Sequence, residues 1–440
     1  EGIVTIILNG TNFWEWVSTA IDGTGIGIGD YLKKFESNQI DAGYVLDLTK
    51  DEYGSRKPSG IMENLSSYIP KHYFNEMQYC ALAYTAVFGK VFPPLSSRVE
   101  QLAYIEWLLY TEPGYTSYRD HLVHMFKVAF VGDRLLSEYE ILNRVVEYQF
   151  TEDKHFNKWC DSRSLDIRRL TGDEKRDIIK MAFFLAALFH DFGYGYYFLR
   201  QYKEKMHKLY GWLLPGSDPT DISAAHTQAL MQSLPGFFVK DNHSWLLAYG
   251  KHSSKVNNNA IAGFLRDCLP LNHSIASTFF IIDLAEKLWN SRALNEKLYI
   301  AFHLAAEAAM IHDMTGNNKW LHLNFTKENS RHFLSSRSHE SVPLAILLIL
   351  ADELSVWDRY KIIALQEGND DQVTYKLDKE DVPNEIRLEI ADNEIGIYLG
   401  ADGKGKDKLT NTFNRDLKYL RKLESDECPC LLNYSVKVYG

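Results

Sequence analysis

Apolar residues recur at helical spacing, or in long runs, from about residue 101 to residue 365. Spacings of three and four residues between apolar positions are typical of helices packed on one face. The segments with this pattern are 100–112, 118–150, 173–190, 222–233, 273–290, 293–313 and 341–365. Polar loops containing Gly, Pro or Asn separate several of them. The pattern predicts a mainly α body of packed helices.

The first hundred residues have a mixed pattern. Predicted loops at 23–30 and 51–60 precede a predicted helix at 75–92. The glycine-rich loop GTGIGIGD (23–30) lacks the G-x-x-x-x-G-K-[ST] sequence of a phosphate loop, so we do not expect one there. The opening residues EGIVTIILNG lack the basic segment of a signal peptide.

The pattern changes again after about residue 366. Apolar and polar residues alternate over 385–400 around Asp392-Asn393, which predicts a β-hairpin. A further strand is predicted within 430–440, and a charged helix at 407–424 lies between the two. We therefore predict an N-terminal mixed or helical region (1–100), a helical domain (101–365) and a small α+β extension (366–440).

Composition narrows the classes of function. A hydrophobic content of 45% and a charged content of 24% over 440 residues are ordinary for a globular protein. The net charge of −10 argues against broad nucleic-acid binding, although a small basic pocket for a phosphorylated molecule remains compatible with it. No segment has the roughly 18 apolar residues that a membrane span requires, so no membrane association is expected. The five scattered cysteines predict free thiols and a reducing cytoplasm; they are Cys80, Cys160, Cys268, Cys428 and Cys430.

Histidines and aspartates end or interrupt the apolar helices. The apolar run from Met181 to Phe189 leads directly into His190-Asp191. Singly, such residues have ordinary explanations: a histidine at a helix C-terminus interacts with the helix dipole, and Asp352 could pair with Arg359. Several together predict a metal ion inside the bundle, because a cation compensates buried carboxylates and binds neutral imidazoles. The residues concerned are His121, His124, His190, Asp191, His273, His312 and Asp352.

The order of these residues resembles the HD superfamily of metal-dependent phosphohydrolases, whose minimal signature is H…HD…D. Four stretches are similar to the family's local patterns: ALFHDFGY, NHSIAST, AEAAMIHD and LILADELSVWDR. The resemblance covers roughly residues 101–365 and implies an HD-type helical bundle. It further implies hydrolysis of a nucleotide or another phosphate ester by metal-activated water.

The resemblance also implies a ligand set. The implied metal ligands are His124, His190, Asp191, His273, His312 and Asp352. Asp191 would bridge two ions, His273 and His312 would complete the second site, and these three residues would take part in catalysis. One or two divalent ions are expected, and iron, manganese, magnesium, zinc, cobalt and nickel are all compatible with His and Asp ligands.

Two positions depart from the family pattern. Both His121 and His124 fit the first ligand; we favour His124 because Val128-Ala129 follows it, which leaves His121 as a neighbour of the ligands or a phosphate contact. The long gap between Asp191 and His273 indicates an insertion at about 200–265, which a substrate lid would explain. It contains His226, His243 and His252.

Further side chains are candidates for substrate binding. Lys127 and Arg359 could contact phosphate, or could be a solvated surface charge and a structural ion pair respectively. Tyr194 and Tyr196 could stack on a base or belong to the core.

Three functions are compatible with this pattern. The first is a cytoplasmic phosphohydrolase whose partner is a nucleotide or another phosphorylated small molecule. The second is a non-catalytic, nucleotide-binding regulatory protein, and the third is a di-iron oxygenase on the same scaffold. A homo-oligomer is compatible with each.

Overall fold

The structure, a computed structural model, describes a helical body and two small sheets. It describes residues 2–22, 121–194, 273–292, 294–312, 343–357, 360–366, 373–379, 382–391, 394–400, 410 and 435–439. The helices are α1 (Gly10–Asp22), α2 (His121–Ser137), α3 (Tyr139–Glu147), α4 (Lys154–Ser162), α5 (Gly172–Phe189), α6 (His273–Asn290), α7 (Glu296–His312) and α8 (Pro343–Leu354). The strands are β1 (Val4–Asn9), β2 (Tyr360–Gln366), β3 (Val373–Lys379), β4 (Glu385–Ala391), β5 (Glu394–Gly400) and β6 (Ser435–Tyr439). The described residues are therefore mainly helical, as predicted.

Helix α5 lies at the centre of the helical body. It packs against α2, α7 and α8, and α7 in turn packs against α6. Every residue from Met181 to Phe189 is buried, so this part of α5 is enclosed on all sides. A capping box begins the helix: Thr171 accepts a hydrogen bond from the Glu174 amide, and the Glu174 carboxylate accepts one from the Thr171 amide.

The predicted helix at 118–150 is divided. Helix α2 ends at Ser137 and α3 begins at Tyr139, with Glu138 in extended backbone between them. A π-helical turn (Tyr148–Glu152) follows α3. Close packing of α2 on α5 depends on Gly132, where a Cβ atom would lie 1.7 Å from a ring carbon of Phe183.

The predicted helix at 341–365 is too long. Helix α8 ends at Leu354, and Tyr360–Gln366 forms strand β2, which pairs antiparallel with β3. The sequence YKIIALQ contains two adjacent β-branched residues, Ile362 and Ile363, which favour a strand. The helix thus ends earlier than predicted, and the apolar residues at 362–365 belong to a strand.

A four-stranded sheet has the strand order β1-β4-β5-β6. The predicted hairpin is confirmed: β4 and β5 pair antiparallel on either side of residues 392–393. Strand β6 confirms part of the strand predicted within 430–440 and runs parallel to β5. Of the predicted helix 407–424, the described residues include only Thr410, which is helical.

The N-terminal strand joins the same sheet. Strand β1 pairs antiparallel with β4, with Val4 opposite Ile390 and Asn9 opposite Glu385. The sequence did not predict this contact between its first and last parts, and the proposed domain boundaries stay a prediction.

Two further predictions concern membrane-spanning helices and the state of the cysteines. None of the described helices has the length and apolarity needed to cross a bilayer. Cys160 is a free, buried thiol, as predicted, and burial raises its pKa. The other four cysteines, and the predicted helices at 75–92, 100–112 and 222–233, lie outside the described residues.

Candidate metal centre

Helices α2, α5, α6, α7 and α8 bring the predicted ligands together. His124 lies in the first turns of α2, and His190 and Asp191 follow the end of α5. Helix α6 begins at His273, α7 ends at His312, and Asp352 lies in the last turn of α8. Residues up to 228 positions apart in the sequence thus meet at one end of the bundle.

The Asp191 carboxylate is surrounded by imidazole nitrogens. Its Oδ1 atom lies 3.1 Å from His273 Nε2, 3.4 Å from His190 Nε2 and 3.9 Å from His312 Nε2. Its Oδ2 atom lies 3.5 Å from His124 Nε2. One carboxylate therefore faces all four histidines.

The second carboxylate, Asp352, lies on the α8 side. Its Oδ1 atom is 2.8 Å from His124 Nε2 and 4.0 Å from His190 Nε2. Two overlapping groups have ligand atoms close enough together to hold an ion: His124, His190 and Asp352, and His190, Asp191 and His312. His273 Nε2 lies 3.4 Å from His312 Nε2, beside the second group.

In three of the histidines, Nδ1 makes a hydrogen bond outside the centre, and Nε2 faces the centre. His190 Nδ1 donates to the Ala187 carbonyl at 2.8 Å, and His312 Nδ1 donates to the Ala309 carbonyl at 2.6 Å. Since a carbonyl only accepts, both rings carry a proton on Nδ1, and their neutral forms present a lone pair at Nε2. Nδ1 of His124 contacts the Ser355 hydroxyl at 2.9 Å. An outward N–H that fixes the inward nitrogen is the usual arrangement of metal-binding histidines.

The chemistry of these atoms fits a divalent metal. Two donors that each lie about 2.1 Å from one ion are at most about 4.2 Å apart, and the ligand contacts here span 2.8–4.0 Å. His190 Nε2 is buried and has no hydrogen bond to the described part of the chain. Nitrogen lone pairs and carboxylates that face one another repel unless positive charge lies between them. A cation supplies that charge.

The protonation states agree with this chemistry. Burial lowers the pKa of His312 to about 3, and the charges of His190 and His273 act in the same direction. Its imidazole is therefore neutral at pH 7, which is the form that binds metals. Burial raises the pKa of Asp191, but the charges of His190, His273 and His124 outweigh it and hold that pKa well below its ordinary value.

Asp352 behaves in the same way. Burial acts to raise its pKa, yet the hydrogen bond and charge of His124 prevail and hold the pKa below its ordinary value. Both carboxylates are therefore ionised at neutral pH. Of these two ionised side chains, Asp191 is buried and Asp352 is 25% exposed.

The turn that contains His190 and Asp191 is fixed to α6. Ser277 Oγ donates to the His190 carbonyl at 2.6 Å and accepts from the Gly193 amide at 2.7 Å. A Cβ atom on Gly193 would lie 1.9 Å from the His273 carbonyl oxygen, so only glycine permits this approach. The two ends of the HDFG segment are thus held against the helix that begins with His273.

His273 and Asp352 form the more accessible side of the centre. The His273 side chain is 12% exposed and that of Asp352 is 25% exposed, whereas Asp191 is 7% exposed. Among the ligand side chains, these two are therefore more exposed than Asp191.

Tyr194 contacts two histidines beside the centre. Its ring stacks on His273 with centroids 3.9 Å apart, and it lies 4.2 Å from the buried His121 ring. One face of Tyr194 is therefore covered by a predicted ligand, which restricts the predicted stacking on a base. His121 lies beside Tyr194, whereas His124 Nε2 lies 3.5 Å from Asp191 Oδ2 and 2.8 Å from Asp352 Oδ1, in keeping with the choice of His124 as the first ligand.

Lys127 is not a solvated surface charge. The side chain is buried, and its ammonium donates to the Trp357 carbonyl at 2.9 Å and lies over the Trp357 ring. The surface alternative is therefore wrong, because the chain following α8 covers this lysine. The predicted phosphate contact is not tested by these contacts. Arg359, Tyr196 and the three histidines of the predicted insertion lie outside the described residues.

Two serines at the centre were not identified from the sequence. Ser277 belongs to the NHSIAST stretch, but the pattern gave no role to its hydroxyl. Ser355 follows Asp352 by three residues in the LILADELSVWDR stretch, and the pattern gave no role to its hydroxyl either. Only the folded chain shows that these hydroxyls contact the ligands.

Comparisons with known protein families, with curated proteins and with solved structures give no match.

Proposed function

We propose that this protein is a metal-dependent hydrolase of phosphate esters. The observation that supports the proposal is the convergence of four imidazoles and two carboxylates from five helices in a largely buried volume. A polar cluster of this size is costly to bury unless it binds a cation. The choice of phosphate esters over other substrates rests on the ordered resemblance to the HD superfamily.

The residues divide into two overlapping sets. His124, His190, Asp191 and Asp352 would hold one ion, and Asp191, His273 and His312 would hold a second, so that Asp191 belongs to both sets. When bound, divalent ions polarise a phosphoryl oxygen and lower the pKa of water. The chain itself contributes fixed ligand positions, ionised carboxylates and a largely buried site.

The test is hydrolysis by metal-loaded protein. Samples loaded separately with manganese, iron, zinc or magnesium are assayed against nucleoside mono- and triphosphates and against p-nitrophenyl phosphate and its diester. We expect metal-dependent release of phosphate, pyrophosphate or nitrophenol. We expect Asp191→Asn to reduce kcat at least about a hundredfold, since loss of even an indirect partner of a metal costs 10–100-fold.

Asp283→Asn is the matched control. Asp283 also lies on a helix of the bundle, but its carboxylate pairs with Lys287 on the exposed face of α6. This variant should retain full activity. Absence of hydrolysis with every metal, or equal activity of the Asp191 variant, would contradict the proposal; oxygen consumption by the iron form would indicate an oxygenase instead.

A further inference from the structure

His124 differs from the other ligand histidines in what orients it. His190 and His312 each donate Nδ1–H to a carbonyl three residues earlier in their own helix. Both ring nitrogens of His124 instead contact α8 and the turn that follows it: Nε2 lies 2.8 Å from Asp352 Oδ1 and Nδ1 lies 2.9 Å from Ser355 Oγ. The orientation of this ring therefore depends on a tertiary contact.

The Ser355 hydroxyl has a second partner. It donates to the Asp352 carbonyl at 2.8 Å, so its oxygen has lone pairs left to accept from His124 Nδ1–H. Ser355 is 2% exposed, which excludes bulk water as a substitute partner. With Nδ1 protonated, His124 would present the lone pair of Nε2 to a metal ion that takes the place of the Nε2 proton.

We propose that Ser355 is a positioning residue that holds His124 as a metal ligand by accepting its Nδ1–H. The inference rests on the proposed metal centre and deepens it. Ser355 and Asp352 contact opposite nitrogens of one ring, so the end of α8 fixes both the rotation of His124 and the site of its proton. Lys127, which lies one turn after His124 and donates to the Trp357 carbonyl, holds the same two segments together.

Three variants test this role. Ser355→Ala removes the acceptor, and Ser355→Thr keeps a hydroxyl. Thr278→Val is the control for loss of a buried hydroxyl, since Thr278 donates only to the Ser274 and Ala306 carbonyls among the described residues. Affinity for zinc or manganese is measured by calorimetry, and urea unfolding shows that each variant is folded. We expect Ser355→Ala to weaken metal binding 10–100-fold, Ser355→Thr to restore most of it, and Thr278→Val to leave it unchanged.

A second readout does not depend on metal. In protein labelled with ¹⁵N-histidine, we expect the His124 Nδ1–H proton to be protected from solvent exchange and to lose this protection in Ser355→Ala. Unchanged metal affinity in Ser355→Ala, or an equal loss in Thr278→Val, would overturn the inference. If the wild-type protein binds no metal, the proposed function fails, and the Nδ1–H signal alone decides whether Ser355 orients the His124 ring: protection lost in Ser355→Ala supports this, and an unprotected proton in the wild type, or protection retained in Ser355→Ala, refutes it.

Discussion

Contacts behind the ligand side chains determine what the centre can bind. The backbone carbonyls of Ala187 and Ala309 determine that His190 and His312 carry a proton on Nδ1. Each carbonyl lies three residues before its histidine, so these acceptors follow from helix geometry alone. The ligand identities could be predicted because a His or Asp in an apolar helix is conspicuous. The contact of Ser355 with His124 could not, because it joins residues 231 positions apart through a tertiary contact.

Gly193 provides a prediction at the scale of one residue. Gly193→Ala would place a methyl group against the His273 carbonyl, and backbone cannot move aside as a flexible side chain can. We expect the free energy of unfolding to fall by about 2–3 kcal/mol, as in overpacked sites. We also expect weaker metal binding, because the turn with His190 and Asp191 must shift. Urea unfolding and calorimetric titration measure the two effects.

Gly172→Ala is the matched control for that change. A Cβ atom there would meet only the Arg176 guanidinium, at 3.7 Å, in the first turn of α5. Stability should change by less than about 1 kcal/mol, in the direction of greater helix propensity. If Gly193→Ala behaved like Gly172→Ala, the close approach of the turn to α6 would be refuted.

Secondary-structure elements were predictable where one pattern persisted. Helices α5, α6 and α7 agree closely with the predicted segments, and the alternation in β4 and β5 predicted their hairpin. The prediction was wrong at 360–366, where strand β2 lies within a segment that was predicted to be helical. Strand β1 was not predicted, because it forms only by pairing with a distant strand. Its residue Asn9 pairs with Glu385 of β4, which lies 376 residues later in the sequence.

Strand β1 gives a prediction at the scale of one element. Leu8 is completely buried, whereas its neighbour Ile7 is 40% exposed on the other face of the sheet. We expect Leu8→Ala to lower the free energy of unfolding by about 3 kcal/mol, through lost burial and a residual cavity. Ile7→Ala should lower it by less than about 1 kcal/mol. Urea denaturation of the two variants measures the difference.

That comparison also tests the register of β1. A shift by one residue would exchange the two faces of the strand and reverse the order of the two effects. Equal effects would mean that β1 does not contribute a face to the core.

At the scale of the whole molecule, helix α1 near the start of the chain packs against α2 and against Trp357, which follows α8. Phe13 in α1 packs on Phe130 of α2 and on Trp357, which follows α8. Trp16 Nε1 donates to Asp133 Oδ2 of α2 at 3.0 Å. The N-terminal segment thus packs on α2, which contains His124, and on Trp357, which follows the helix that contains Asp352.

The position of the centre was predictable only as a hypothesis. Ordered His and Asp residues at helix ends indicated a shared ion, but sequence spacing does not specify which helix ends meet. The packing of α2, α7 and α8 on α5, and of α6 on α7, brings those ends together. The substrate side chains Arg359 and Tyr196 remain predictions from the sequence.

The metal content of the purified protein tests the central claim most directly. Wild-type protein and Asp191→Ala are loaded with manganese or iron, freed of excess metal and analysed by inductively coupled plasma mass spectrometry, with circular dichroism as the measure of helical fold. We predict one or two ions per wild-type chain and essentially none in Asp191→Ala, with the helical signal retained, because Asp191 faces all four histidines. A wild-type chain without bound metal, or an Asp191→Ala chain with the same metal content, would contradict the account.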